Sequence, residues 1–346
     1  MKTQYPDVQT LCQEVQRLDA LKEDFVVSNS RLEMRNDEYL TVADHTYPIN
    51  SIAHGQIATK LEIPKSYYDR MGAITGLRSH NVNEWLRKEP GKAHLVRTLD
   101  GTARAFLSDR YMPLDNILIL GAALPVLAEN PDIQIKSASI TDARLYLQAS
   151  FPRIAGEIRV GDMVEFGFTL TTSEVGLGKV DVQEWFHQLK CSNGYVGESI
   201  FSRRHIGRRI GEDEEDYRIF SDKTIRAELK SFQLKLRDIL KASLNYEAFK
   251  ERIQAFRRAA GDSVPHSEAE TVVQNVTKHY SFTEDEFKSI FNRVMQDTQI
   301  SRLSIADSIT FQVHETKSQD RAYDLEKAGY TLVTLPSTEW KRLSAA

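Results

Sequence analysis

Four arginines and a histidine crowd into the octapeptide 202–209, SRRHIGRR: Arg203, Arg204, His205, Arg208 and Arg209. Guanidinium forks match phosphate oxygens with paired N–H donors, and Gly207 between the two arginine pairs lets the backbone come close to a ligand. Lys190 precedes the run in LKCSNGY. A second set of cations stands in RTLDGTARAFLSDRY, where Arg97, Arg104 and Arg110 lead up to Tyr111. Cations beside an aromatic ring on a pleated surface suit a polyanion that also offers flat bases to stack on. The chemistry these residues favour is the holding of phosphates. The plainer reading of 202–209 is a solvated loop neutralised by the acidic run GEDEED at 211–216.

Bond-making chemistry finds less support. Gly176-Leu177-Gly178-Lys179 is too short for a P-loop and lacks the following Ser or Thr, so it reads as a turn. Ser150 and Ser173 have no GxSxG context. Asp181, Glu184 and Lys190 lack the Glu-x-Lys spacing of carboxylate–lysine nucleases. His187 and Cys191 stand four apart on what reads as one strand, with no second pair at zinc spacing. The expectation is no catalytic residue, no metal and no cofactor.

The elements that must position these groups follow from periodicity. Val8, Leu11, Val15, Leu18 and Leu21 define an amphipathic helix over 7–22. Short strands follow over 25–42, with turns at 28–30 and at Asn36-Asp37. Residues 49–71 are helical with one interruption, and 74–87 form a further helix that Pro90-Gly91 ends. Asp100-Gly101 between two strand-forming runs marks a hairpin, followed by a helix over 114–129. Strands are expected over 133–140, 144–151, 163–172 and 180–191. After the acidic run, 223–258 reads as one long helix. Ile225, Leu229, Phe232, Leu236 and Ile239 form a heptad-like seam along it. That seam is either a core-facing stripe or a self-association surface. Ser267-x-x-Glu270 and Thr283-x-x-Glu286 are capping boxes that open two further helices. A last helix over 305–327 should stop at Gly329, and Tyr330–Leu335 reads as a closing strand. Trp85 and Trp185 read as core anchors.

This pattern gives an α+β fold: a central antiparallel sheet with helices at the N-terminus and a helical C-terminal region. The divisions are 1–90, mixed and mainly helical; 91–211, the β-rich core; and 217–346, helical and continuous with that core or separate from it. Residues 57–71, IATKLEIPKSYYDRM, also imitate a helix-turn-helix with Lys65, Ser66, Tyr67 and Arg70 on the second helix, although Glu62 occupies the turn where glycine is usual.

Composition narrows the class. Charged residues make up 27% of 346 and the hydrophobic set 41%, as in an ordinary globular protein. The net charge of −4 excludes a global positive field, so any nucleic-acid role rests on a local patch. Cys12 and Cys191 make no disulfide framework, MKTQYPDVQT lacks an apolar signal core, and no run nears the ~20 apolar residues of a membrane span. A cytoplasmic protein is expected.

Several blocks, spread over roughly 25–333, resemble the phage/plasmid-like protein family that carries the domain of unknown function 932. They are KLEIPKSYYDRM with NVNEWLRK, VRTLDGTARAFLSDRYMPLDN, VGDMVEFGFTLTTSEVGLGKVDVQ with LKCSNGYV and RRHIG, and RAYDLEKAGYTLV. Order and spacing agree, and the departure is Thr172, where an Asn is expected before Ser173. The resemblance implies a mobile-element setting and brings no catalytic residue. Joined to the arginine-rich segments, it leads to the expectation of a nucleic-acid-binding protein, single-stranded DNA favoured, in replication, recombination or protection of the element. The alternatives are a non-enzymatic factor that modulates a host enzyme or defence system through the 225–239 seam, with homo-oligomers as a further consequence, and a helix-turn-helix regulator.

Overall fold

The computed structural model describes residues 3–5, 7–203, 222–243 and 246–345. A short strand β1 (Thr3–Gln4) precedes helix α1 (Val8–Ala20), whose Asp7 side chain caps the Thr10 N–H. Next come β2 (Lys22–Ser28), β3 (Leu32–Arg35), β4 (Tyr39–Val42) and β5 (His45–Pro48), then α2 (Ser51–Lys60), α3 (Lys65–Met71) and α4 (Leu77–Lys88). The hairpin is β6 (Ala93–Leu99) and β7 (Thr102–Ser108). Asp100 and Gly101 both take positive φ, +47° and +72°, as a two-residue turn of this hand requires.

Sheet β2-β6-β7 and sheet β3-β4-β5 share one hydrophobic cluster with α2–α4, in which Val96, Ala103 and Phe106 of the hairpin pack with Leu40, Ile57, Tyr68 and Val82. The hairpin therefore belongs with the N-terminal body, and a boundary at residue 90 would cut it from the core it completes.

The second body follows. Helix α5 (Asn116–Glu129) leads into β8 (Gln134–Ile140), β9 (Leu145–Arg159), β10 (Asp162–Thr172), β11 (Val180–Gln188) and β12 (Asn193–Arg203). With β1 these make a six-stranded antiparallel sheet, β1-β8-β9-β10-β11-β12. The fold is α+β, with a central antiparallel sheet and a helical C-terminal region. Alternation sends Val164, Phe166, Phe168 and Leu170 of β10 into the main core and turns Thr169 and Thr171 to the other face. Among the described residues, seven α-helices complete the body: α6 (Asp222–Ala242), α7 (Tyr246–Gly261), α8 (Ala269–His279), α9 (Glu284–Val294), α10 (Arg302–Phe311), α11 (Gln319–Thr334) and α12 (Ser337–Leu343).

Four expectations are corrected. Residues 193–203 form a full strand, β12, rather than a loop that carries SRR. The long helix divides into α6 and α7 around Ser243, whose hydroxyl donates to the Leu240 carbonyl in competition with the helical backbone. The Ser267 box does not form, because 265–268 make a turn closed by Glu268 N–H to Pro265 O, and α8 starts without a side-chain cap. Gly329 and Tyr330–Leu335 lie within or at the end of α11. A Cβ at Gly329 would sit 2.3 Å from Thr310 Cγ2 and 3.2 Å from the Tyr195 ring, so this glycine lets α11 pack close to α10 and β12; it does not end the helix.

The Thr283 box forms on both sides: the Glu286 N–H donates to Thr283 Oγ1 at 3.2 Å and the Thr283 N–H donates to Glu286 Oε2 at 2.8 Å. Thr283→Ala should lower the free energy of urea unfolding by about 1 kcal/mol with no change in far-ultraviolet dichroism.

Candidate functional site

The hairpin arginines do not face solvent. Arg97 on β6 is fully buried. Its Nε donates to Asp24 Oδ1, its Nη2 to Asp115 Oδ1 and its Nη1 to the Glu174 carbonyl, each at 2.8 Å. Lys22 adds a second cation to Asp115. Burial pushes the Asp115 carboxyl up, but the Arg97 and Lys22 charges outweigh it and hold the group below its ordinary value. Arg104 on β7 is 9% exposed and forms an ion pair with Glu174, Nη1 to Oε2 2.9 Å, while Glu174 Oε1 accepts the Asn116 N–H at 2.7 Å. Together these bonds clasp the hairpin to the start of α5 and to the loop after β10. Neither arginine is a surface phosphate contact, since each is buried and committed to internal carboxylates.

The other predicted residues are scattered. Tyr111 tucks against Leu107 and Val175, and its hydroxyl donates to the Ser173 carbonyl at 3.2 Å, so its ring is no open stacking platform. Arg110 beside it is exposed. Lys190 is exposed in the turn between β11 and β12, at the opposite end of that hairpin from Arg203. At ~3.3 Å per residue, the length of β12 separates them by roughly 30 Å. Arg204, His205, Arg208 and Arg209 lie outside the described residues, as does the acidic run 212–216.

One end of the six-stranded sheet does gather cations. The 141–144 turn, the 173–179 loop and the end of β12 meet there, because Leu145 pairs with Thr172 and Val180 pairs with Arg203. Arg144 Nη2 donates to the Leu177 carbonyl at 2.6 Å and Nη1 lies 3.2 Å from Asp320. Lys179 Nζ is 3.3 Å from Asp181. Arg203 pairs with Glu228 at 2.9 Å and lies 4.9 Å from the centre of the Phe232 ring. The side chains of Arg144, Lys179 and Arg203 keep 31%, 40% and 31% of their surface exposed. Ion pairs of such part-exposed cations are worth little. Sequence reasoning passed over Arg144 and Lys179, although the Thr141-Asp142 turn and GLGK placed both at strand ends.

Leu229, Phe232 and Leu236 of the seam pack into the main core, and the Ile225 side chain is outside those described. The core-facing alternative holds for these three residues. Residues 51–60 and 65–71 do form a helical pair with Glu62 at φ +57°, but α3 has only seven residues and Lys65 is paired with Asp69. Asp181 and Glu184 point to opposite faces of β11, and His187 is on β11 whereas Cys191 lies in the turn that follows it. Trp185 is buried, whereas Trp85 is 43% exposed with Lys88 4.6 Å from the centre of its ring, so only one of the two is a core anchor. Among the described residues, no helix is long and apolar enough to cross a membrane. The chain matches no family model, no curated protein and no solved structure.

Proposed function

We propose that the chain is a cytoplasmic mobile-element protein that binds nucleic acid, single-stranded DNA favoured, in replication, recombination or protection of a phage or plasmid. Arg144, Lys179 and Arg203 hold phosphates in this reading. The observation that carries it is the placing of these three part-exposed cations, drawn from a turn, a loop and a strand end, at one end of the sheet, Arg144 and Lys179 on one face and Arg203 on the α6 face. The sequence runs on from Arg203 directly into Arg204, His205, Arg208 and Arg209. The resemblance of seven blocks to the phage/plasmid-like family supplies the setting. No cofactor is needed, because counterion release provides the driving force for such binding.

The test is fluorescence anisotropy with a labelled thirty-nucleotide oligothymidylate across a salt series. Affinity should fall linearly on a log–log plot. Replacing Arg144, Lys179 and Arg203 together with glutamine should reduce that slope by about 2, at ~0.7 per phosphate contact on a single strand. A slope near zero, or an unchanged slope in the triple variant, would refute the reading.

A further inference from the structure

The joint between the two bodies holds a partly open cavity of about 420 Å³, walled by α1, the tip of the β6–β7 hairpin, the start of α5 and the 141–145 end of the sheet. This is the size range of small-molecule sites, which favour such junctions. Arg104 and Asn116 line it. Three of their buried polar atoms, Arg104 Nε, Arg104 Nη2 and Asn116 Oδ1, have no hydrogen-bond partner among the described residues. Native folds leave few such atoms, and an unmatched buried charge costs more than an unmatched amide. The contrast with Arg97, on the paired strand of the same hairpin, is direct: there Nε, Nη1 and Nη2 all donate.

The open atoms have a pattern. Nε and Nη2 form the side edge of the guanidinium, the edge that takes two oxygens of one acid group in parallel. Glu174 occupies only Nη1 and so fixes the group without using that edge. Asn116 Oδ1 asks for a donor. Glu14, Asp100 and Asp142 also line the cavity. Glu14 is spent on Arg17, but Asp100 and Asp142 have no ion-pair partner among the described residues. Glu174 and Arg144 complete the charged lining, so a polyphosphate would meet four carboxylates against two arginines. A molecule with an acid group at one end and an ammonium at the other would complete every open position.

We infer that this cavity binds a small zwitterion of the amino-acid class, its carboxylate on the side edge of Arg104 and its ammonium toward Asn116 Oδ1, Asp100 and Asp142. Nε and Nη2 are closed off from water in the empty fold, so the carboxylate draws that edge into the cavity as it binds. Because the walls come from both bodies, the ligand ties the hairpin to the sheet and raises the unfolding temperature.

Thermal-shift and calorimetric titration of the full chain with each of the twenty amino acids, acetate, methylammonium and inorganic phosphate tests this. At least one amino acid should raise the unfolding temperature and bind at least tenfold more tightly than acetate or methylammonium. Arg104→Gln should weaken that binding tenfold or more. Thr102→Leu, which narrows the cavity and leaves the Arg104–Glu174 pair in place, should do the same and serves if Arg104→Gln does not fold. The inference is overturned if no amino acid binds, if either folded variant binds as the parent does, or if inorganic phosphate binds more tightly than every amino acid.

Discussion

Arg97→Met should cost about 3–5 kcal/mol of unfolding free energy, read from urea midpoints at constant slope. The magnitude follows from what is left behind. Methionine fills much the same volume, so little packing is lost. The Asp115 carboxylate, buried at the start of α5, keeps Lys22 but loses the guanidinium that helps hold it ionised. Asp24 loses its bond, and the Glu174 carbonyl is left without the Arg97 donor. Breaking a buried pair from one side is the expensive case, because the desolvation already incurred by the partners is no longer offset. Arg97→Lys should recover less than half of the loss, since one ammonium cannot span three acceptors held by β2, α5 and the loop after β10. If Arg97 were instead a phosphate contact, Arg97→Met would leave the urea midpoint in place and weaken DNA binding. That outcome would sink the clasp.

Arg97 also shows what the sequence could not say. Its type and its place in a hairpin were legible. Its partners were not, because Asp24, Asp115 and Glu174 stand 73, 18 and 77 residues away. The stretch Leu95–Thr98 is buried without alternation, so period-2 reasoning could not separate a covered face from an open one. Elements governed by local chemistry were read closely: the helix at 8–20, the Asp-Gly hairpin, the strands at 134–140 and 162–172, and the Thr283 cap. Elements governed by distant packing were not. NGYVGESIFSR holds two glycines and five polar or charged residues, yet pairing with β11 makes it a strand. Gly329 signals a helix end by type, and only the approach of Thr310 and Tyr195 explains its place inside α11. For the site, the basic residues were visible one by one. Which of them are buried depends on the meeting of two bodies, and no local signal carries that.

Asp307→Asn should flatten one component of the pH dependence of stability and make the protein more stable than the parent above pH 7. Burial pushes the Asp307 carboxyl from 3.8 to about 7; Tyr195, which donates its hydroxyl to Oδ1, and Arg159 pull it down, while Asp162 and Asp297 add to the rise. Between about pH 4 and 7 the folded chain therefore holds a proton that the unfolded chain has released. Stability from this group is complete below pH 4 and is lost as pH rises toward 7. At ~1.4 kcal/mol per unit, and with part of the side chain solvent-accessible, the loss is about 2–4 kcal/mol. Asparagine cannot ionise and still offers an oxygen to Tyr195, so the variant keeps the bond and escapes the loss. His94 supplies the opposite slope. Burial against Phe106, with ring centroids 4.4 Å apart, lowers its pKa from 6.5 to about 4, so its contribution is complete above pH 6.5 and is lost as pH falls toward 4. In the parent the two slopes offset each other over pH 4–6.5. Urea unfolding at half-unit steps should show stability rising with pH over that window in Asp307→Asn and falling with it in His94→Leu, each relative to the parent. Parallel curves for parent and Asp307→Asn would mean that the carboxylate is ionised in the folded chain at neutral pH.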